Sequence, residues 1–189
     1  MVMQSPPMLT VPVSERDHVA GPTNAPLQLV EYGDYECPYC GAAHGVVKEI
    51  QRRLGRDLAY VFRNFPLVSA HPHALIAAEA AEAAGAQERF WPMHDRLFEH
   101  QHLLDERSLV RHALAVGVPD MERFAGDLKD HRYVPRIRDD LASGARSGVT
   151  GTPTFYVNGV RHDGGHDAAS LMQALLAARV HAGRASQTM

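Results

Sequence analysis

Leu27-Gln28-Leu29-Val30-Glu31-Tyr32-Gly33-Asp34-Tyr35-Glu36-Cys37-Pro38-Tyr39-Cys40 is the stretch on which the reading of this chain turns. Leu27–Tyr32 is short, apolar and β-branched with one acid inside it, which predicts a strand. From Tyr39 to about Leu54, Val46, Val47, Ile50 and Leu54 recur at helical spacing, and Gly55 makes a suitable stop. Cys37 therefore falls where a helix begins. There, unpaired backbone N–H groups and the positive end of the helix dipole favour an anion. Pro38 suits the first helical position, where its missing N–H costs nothing. A thiolate is the nucleophile of thiol–disulfide exchange, and this location should hold its pKa below the about 8.5 of a free cysteine. Cys40, one turn on, is placed to attack a mixed disulfide formed at Cys37 and close an intramolecular bond.

Working outward, Leu58–Arg63 reads as a second strand ended by Pro66, giving a strand–helix–strand unit of the kind that builds a parallel pair. The proline-rich residues 1–26 read as an extended lead-in. From Pro72 to about Gly148 the pattern becomes helical. It includes the alanine-rich run from Ala74, a stripe of Phe90, Met93, Leu97 and Phe98, and another of Val134, Ile137 and Leu141. Four or five helices are expected there. Strand character returns at Thr154–Val157, where Asn158-Gly159 signals a tight hairpin into Val160–His162. A last helix is expected from about Asp167 to Ala182, with Asp167 as its N-cap. The expected architecture is α/β, a central mixed sheet flanked by helices. Residues 27–71 and 149–183 form the sheet domain and 72–148 an inserted helical subdomain.

Composition narrows the function. The 189 residues are 45% hydrophobic, enough for a real core, and the formal charge of −3 gives no electrostatic argument for nucleic acid. No apolar run approaches the roughly 20 residues of a membrane span. The N-terminus lacks a basic start and a sustained apolar stretch, so the cytoplasm is the expected compartment. Thiols there are mostly reduced. The chain has only two cysteines, which argues against a structural disulfide framework and requires Cys37 and Cys40 to be explained together. A zinc site built on them would need two more ligands. The twelve histidines, among them His71, His73, His94, His100 and His102, show no convincing ligand spacing and read as surface residues, as does His44. No metal is expected.

With these motifs in hand, the chain resembles the thioredoxin superfamily, and more closely its DsbA-like branch. The strand before Cys37 and Cys40, the segment Gly151-Thr152-Pro153-Thr154-Phe155 and the helical block between the two halves of the sheet carry the resemblance. Phe62-Arg63-Asn64-Phe65-Pro66-Leu67 and Phe90-Trp91-Pro92-Met93-His94-Asp95 are also similar to segments of that branch. The resemblance implies a thioredoxin fold and a protein disulfide oxidoreductase. Cys37 would be nucleophile and Cys40 resolver, with Glu31 a buried acid exchanging a proton with Cys40. It further implies a cis Pro153, with the Thr152 backbone, Pro38 and Tyr39 beside the substrate.

No cofactor is implied beyond the Cys37–Cys40 disulfide. The implied partners are protein thiol or disulfide substrates and a reducing or oxidising partner, with glutathione a candidate. The Pro-Tyr dipeptide, in place of Pro-His, and Thr152, in place of valine, depart from the strongly oxidising periplasmic protein. Two other readings compete: a glutathione-dependent kappa-type transferase or isomerase, and a non-catalytic thioredoxin-like binding module.

Overall fold

In the computed structural model, residues 7–185 are described, with side chains through residue 179. The first six residues of the expected lead-in lie outside that range. Five strands form one mixed sheet: β1 (His18–Ala20), β2 (Leu27–Gly33), β3 (Leu58–Asn64), β4 (Thr154–Val157) and β5 (Val160–His162), ordered β1-β3-β2-β4-β5. β2 and β3 run parallel, joined by helix α1 (Pro38–Leu54), and the remaining pairs are antiparallel. Between β3 and β4 come α2 (Ala74–Gly85), α3 (Phe90–Glu99), α4 (Glu106–Ala115), α5 (Met121–Lys129) and α6 (Val134–Arg146). Helix α7 (Ala168–Ala185) follows the β4–β5 hairpin. This is the α/β thioredoxin fold with a helical insertion.

Each element follows from its residues. β2 is central, so its apolar run is buried on both faces rather than alternating with water-facing positions. Its odd-numbered residues Leu27 and Leu29 join Tyr60, Phe62, Phe155 and the buried stripe of α1 (Cys40, Ala43, Val47, Ile50). That same cluster continues through the alanines of α2 and the stripe of α3. Its even-numbered residues Val30 and Tyr32 pack with Val61, Phe65 and Tyr156 on the other face. Asn158 and Gly159 both adopt positive φ, as a two-residue hairpin turn demands. Asp167 caps α7 through the N–H groups of Ala169 and Ser170.

One difference from the sequence reading lies inside the lead-in. His18–Ala20 form an edge strand antiparallel to β3, and Met8 bridges to Val160. A strand of three residues is too short to show alternation, and the prolines around it mask the signal. What anchors it is the fully buried Arg63 of β3. Its Nε and Nη2 donate to the Asp17 carboxylate (2.7 and 3.1 Å), and Nη1 and Nη2 to the carbonyls of Val11 and Pro12 (2.9 and 3.1 Å). Nη1 also donates to Tyr32 Oη at 2.9 Å, so all five guanidinium donors are used.

Removing Asp17 leaves that cation buried and unpaired. Asp17→Ala should therefore lower stability by about 3–5 kcal/mol in urea unfolding. A loss below about 1 kcal/mol would mean that the lead-in is not held this way.

Candidate active site

At the C-terminal end of β2 the chain turns through Asp34-Tyr35-Glu36 into α1, with Cys37 at the N-cap in extended conformation and Pro38 in the first turn. Asp34 organises this turn. Its carbonyl accepts the Cys37 N–H (3.2 Å), its Oδ1 accepts the Glu36 N–H (2.8 Å), and its Oδ2 accepts the Leu67 N–H and pairs with His71 Nδ1 (both 2.8 Å). From the turn between α3 and α4, Gln101 Nε2 donates to the carbonyls of Tyr35 and Cys37, both at 2.8 Å. Its approach requires Gly41, since a Cβ there would come within 2.1 Å of Gln101 Oε1.

The two thiols sit in opposite environments. Cys37 retains 3% of its surface and Cys40 none, with Tyr39 strongly exposed next to them. Donation from the Cys40 thiol is the largest influence on Cys37, helped by the Thr152 side chain and the backbone N–H groups of Cys40 and Tyr39. Together they outweigh burial and bring the Cys37 pKa down to about 5. Burial pushes Cys40 the other way, well above the ordinary thiol range, and the charge of Glu31 adds to this. The Asp34 N–H reaches Cys40 Sγ at 3.5 Å.

The loop before β4 closes over Cys37. The Thr152–Pro153 peptide bond is cis, and Cys37 Sγ lies 3.4 Å from the Thr152 carbonyl oxygen. Thr152 Oγ1 is buried without a hydrogen-bond partner among the described residues, and its side chain lies near enough to the Cys37 sulfur to help lower its pKa. Ionisation of Cys37 removes the S–H donor and frees the Thr152 carbonyl.

Glu31 lies beneath, 1% exposed, on the same face of β2 as Leu29. Tyr60 Oη donates to its Oε2 at 2.7 Å, while its Oε1 has no partner among the described residues. Burial raises its pKa to about 7, against the lowering effect of Tyr60. The charged form of Glu31 thus opposes folding. Its contribution is most favourable below the ordinary carboxyl pKa of 4.5 and is lost as pH rises through about 7. Cys37 has the opposite sign: in the reduced protein its stabilising contribution is full above the ordinary thiol pKa of 9.0 and is lost as pH falls through about 5.

The structure therefore brings Cys37, Cys40, Glu31, Thr152, Pro153, Pro38 and Tyr39 to one end of the sheet. It adds Asp34 and Gln101, which the sequence reading did not single out, and His71, which that reading left on the surface. Their signal is weak because each acts across a turn or from a distant loop. Burial alone would push the His71 pKa down, but the Asp34 carboxylate raises it. The surface reading fails for His94, which is 1% exposed, and for His44, whose side chain is 10% exposed and stacks on Phe98. Both face the packed interval between α1 and α3, a contact that spacing along one chain does not reveal.

A family model described as Thioredoxin matches residues 13–177. A thioredoxin-like oxidoreductase from Silicibacter pomeroyi DSS-3 superposes with a TM-score of 0.78 at 27% identity, covering 88% of this chain and 94% of that one. Oxidised BdbD from Bacillus subtilis gives a TM-score of 0.79 at 23% identity, covering 93% and 96%. In sequence, 167 residues are 48% identical to Na(+)/H(+) antiporter NhaA 1 of Mycobacterium sp. (strain KMS), covering 87% of this chain but 27% of the antiporter. The chain thus spans about a quarter of the length of the curated relatives it matches.

Thiolate absorbance near about 240 nm in the reduced protein should rise with an inflection near pH 5 from Cys37 alone. In Cys40→Ala that inflection should move up toward about 8.5, because the strongest donor to the sulfur is gone. An inflection unmoved in the variant would remove Cys40 as the cause.

Proposed function

The chain belongs to the thioredoxin family, and from that premise we propose that it exchanges dithiols and disulfides with protein substrates through Cys37 and Cys40. The observation that carries this is the contrast between the two thiols. Cys37 is ionised at neutral pH under the helix N–H groups and the Cys40 thiol, whereas Cys40 is protonated and enclosed. The electrons reside in the cysteine pair, so no bound cofactor is needed, and glutathione is the electron partner to test.

In the oxidising direction a substrate thiolate attacks Cys37 Sγ of the Cys37–Cys40 disulfide. The S–S bond breaks and Cys40 leaves, taking up a proton. The second substrate thiolate then attacks the substrate sulfur of the mixed disulfide and expels Cys37 as thiolate. The substrate loses two electrons, and the protein gains them as one thiolate and one thiol.

Glu31 serves as the proton reservoir for Cys40. With a pKa of about 7 it is half protonated near neutrality and can give or take that proton. The Thr152 backbone beside Cys37 lines the position where an extended substrate segment would pair. Stabilising the Cys37 thiolate favours the reduced pair and makes its disulfide oxidising. In the cytoplasm, the compartment the sequence reading expects, a glutathione pool would keep such a pair reduced.

The match to part of each antiporter chain favours a narrower reading, in which the substrate is a membrane transport protein of that class. Cys40→Ser should trap the mixed disulfide at Cys37. An antiporter among the trapped partners in membranes supports the narrower reading, and its absence removes it while leaving the chemistry intact.

Against a glutathione buffer the pair should equilibrate between the about −270 mV of thioredoxin and the about −120 mV of DsbA. Cys37→Ser should lose all dithiol activity. A Cys37→Ser protein as active as the parent would refute the assignment.

In Glu31→Gln, the step in which Cys40 must deprotonate should slow by about 10²–10⁴-fold. Its rise with pH through about 7 should also flatten. A pH profile unchanged in that variant would exclude Glu31 as the proton partner.

A further inference from the structure

Helices α1 and α3 lie side by side behind the redox pair, and three ligand-type side chains meet between them. His44 comes from α1, one turn beyond Cys40, and His94 and Asp95 come from α3. One ligand atom from each lies within 4.8 Å of the others, the one such set of three or more His, Cys, Asp or Glu side chains among the described residues. They border a cavity of about 60 Å³ shared with Lys48, Tyr60 and Trp91.

The spacing suits a shared ion better than a direct bond. His44 Nε2 stands 3.6 Å from Asp95 Oδ1, too long for a hydrogen bond. Two ligands of a tetrahedral ion with bonds of about 2.0–2.1 Å would stand about 3.3 Å apart. His94 has its Nδ1 against Tyr35 Oη at 3.1 Å, which leaves Nε2 as the ring nitrogen available to a ligand. In the tautomer whose Nδ1–H donates to Tyr35 Oη, Nε2 keeps its lone pair, as in the second-shell arrangement of metal-bound histidine.

From this geometry we propose that His44, His94 and Asp95 bind a divalent transition metal of the zinc class, pinning the helix that carries Cys40 to the inserted helices. The remaining coordination position would be filled by water from the cavity. Two imidazoles and one carboxylate suit Zn²⁺ and Co²⁺ and are poor ligands for calcium or magnesium. The opposing group is Lys48, whose Nζ lies 2.7 Å from Asp95 Oδ2. It is half-exposed, and its flexible stem allows it to swing into water when an ion arrives.

The test uses the full chain with Cys37 and Cys40 joined as a disulfide, so that no thiolate competes for metal. Zn²⁺ titrated against a chromophoric chelator should bind at one ion per chain. Loss of a mere second-shell partner already costs about 10–100-fold, so His44→Ala and Asp95→Asn should each weaken binding at least that much. Lys48→Ala should tighten it, by relieving the competing ammonium.

Co²⁺ should give tetrahedral d–d bands without the near-ultraviolet sulfur-to-cobalt band, a signature that does not depend on any variant folding. Three results would each overturn the proposal: no stoichiometric binding by the parent chain, undiminished binding in both ligand variants, or no gain in Lys48→Ala. An ordinary ion pair of Lys48 with Asp95 predicts the first of these.

Discussion

The Cys40 thiol and the first N–H groups of α1 converge on the Cys37 sulfur, and the arrangement of the site follows from that convergence. A negative sulfur is stable here because several donors are already aimed at it before any substrate arrives. The donors are fixed by the backbone: Cys37 stands at the N-cap, Pro38 starts the helix, and Cys40 returns to the same side one turn later. The same hydrogen bond that favours ionisation of Cys37 disfavours it for Cys40, and enclosure of the second sulfur widens the gap. One interaction thereby separates two chemically identical residues into one that ionises readily and one that holds its proton.

That geometry persists only if the turn from β2 into α1 is rigid, and its rigidity comes from outside the turn. Asp34 ties it to the segment after β3 through Leu67 and His71, while Gln101 grips two of its carbonyls from beyond α3. The inserted helices therefore do more than cover the sheet. They share its apolar cluster, and the turn after α3 contributes the Gln101 side chain to the backbone of the Cys37 loop. On the opposite face, Arg63 performs a comparable task for the lead-in, with every donor occupied.

Beneath the sulfurs the sheet carries a charge that the core resists. Glu31 is enclosed among Tyr60, Phe62 and the cysteine turn, with one oxygen bonded and the other without a partner among the described residues. An apolar residue there would fold more favourably, so the acid is a local departure from core packing of the sort found at functional sites. Burial moves its titration into the neutral range, to about 7.

The order of elements was legible in the residues because each strand and helix carries its own local pattern: the apolar run of β2, the stripe of α1, the alanines of α2, and Asn158-Gly159 between β4 and β5. The face on which Glu31 lies was also legible, since strand alternation binds it to Leu29. His18–Ala20 was not, because three residues among prolines carry no period and pair only through Arg63 and Asp17. Nor was the meeting of His44 with His94 and Asp95, or of Gln101 with the carbonyl of Cys37, since each joins segments about fifty residues or more apart.

By itself, then, the sequence determined where a helix begins relative to two thiols, a matter of neighbours within one turn. Tertiary structure decided which sulfur is enclosed, what holds the loop still, and which distant side chains share a cavity, because burial and convergence are properties of packed segments.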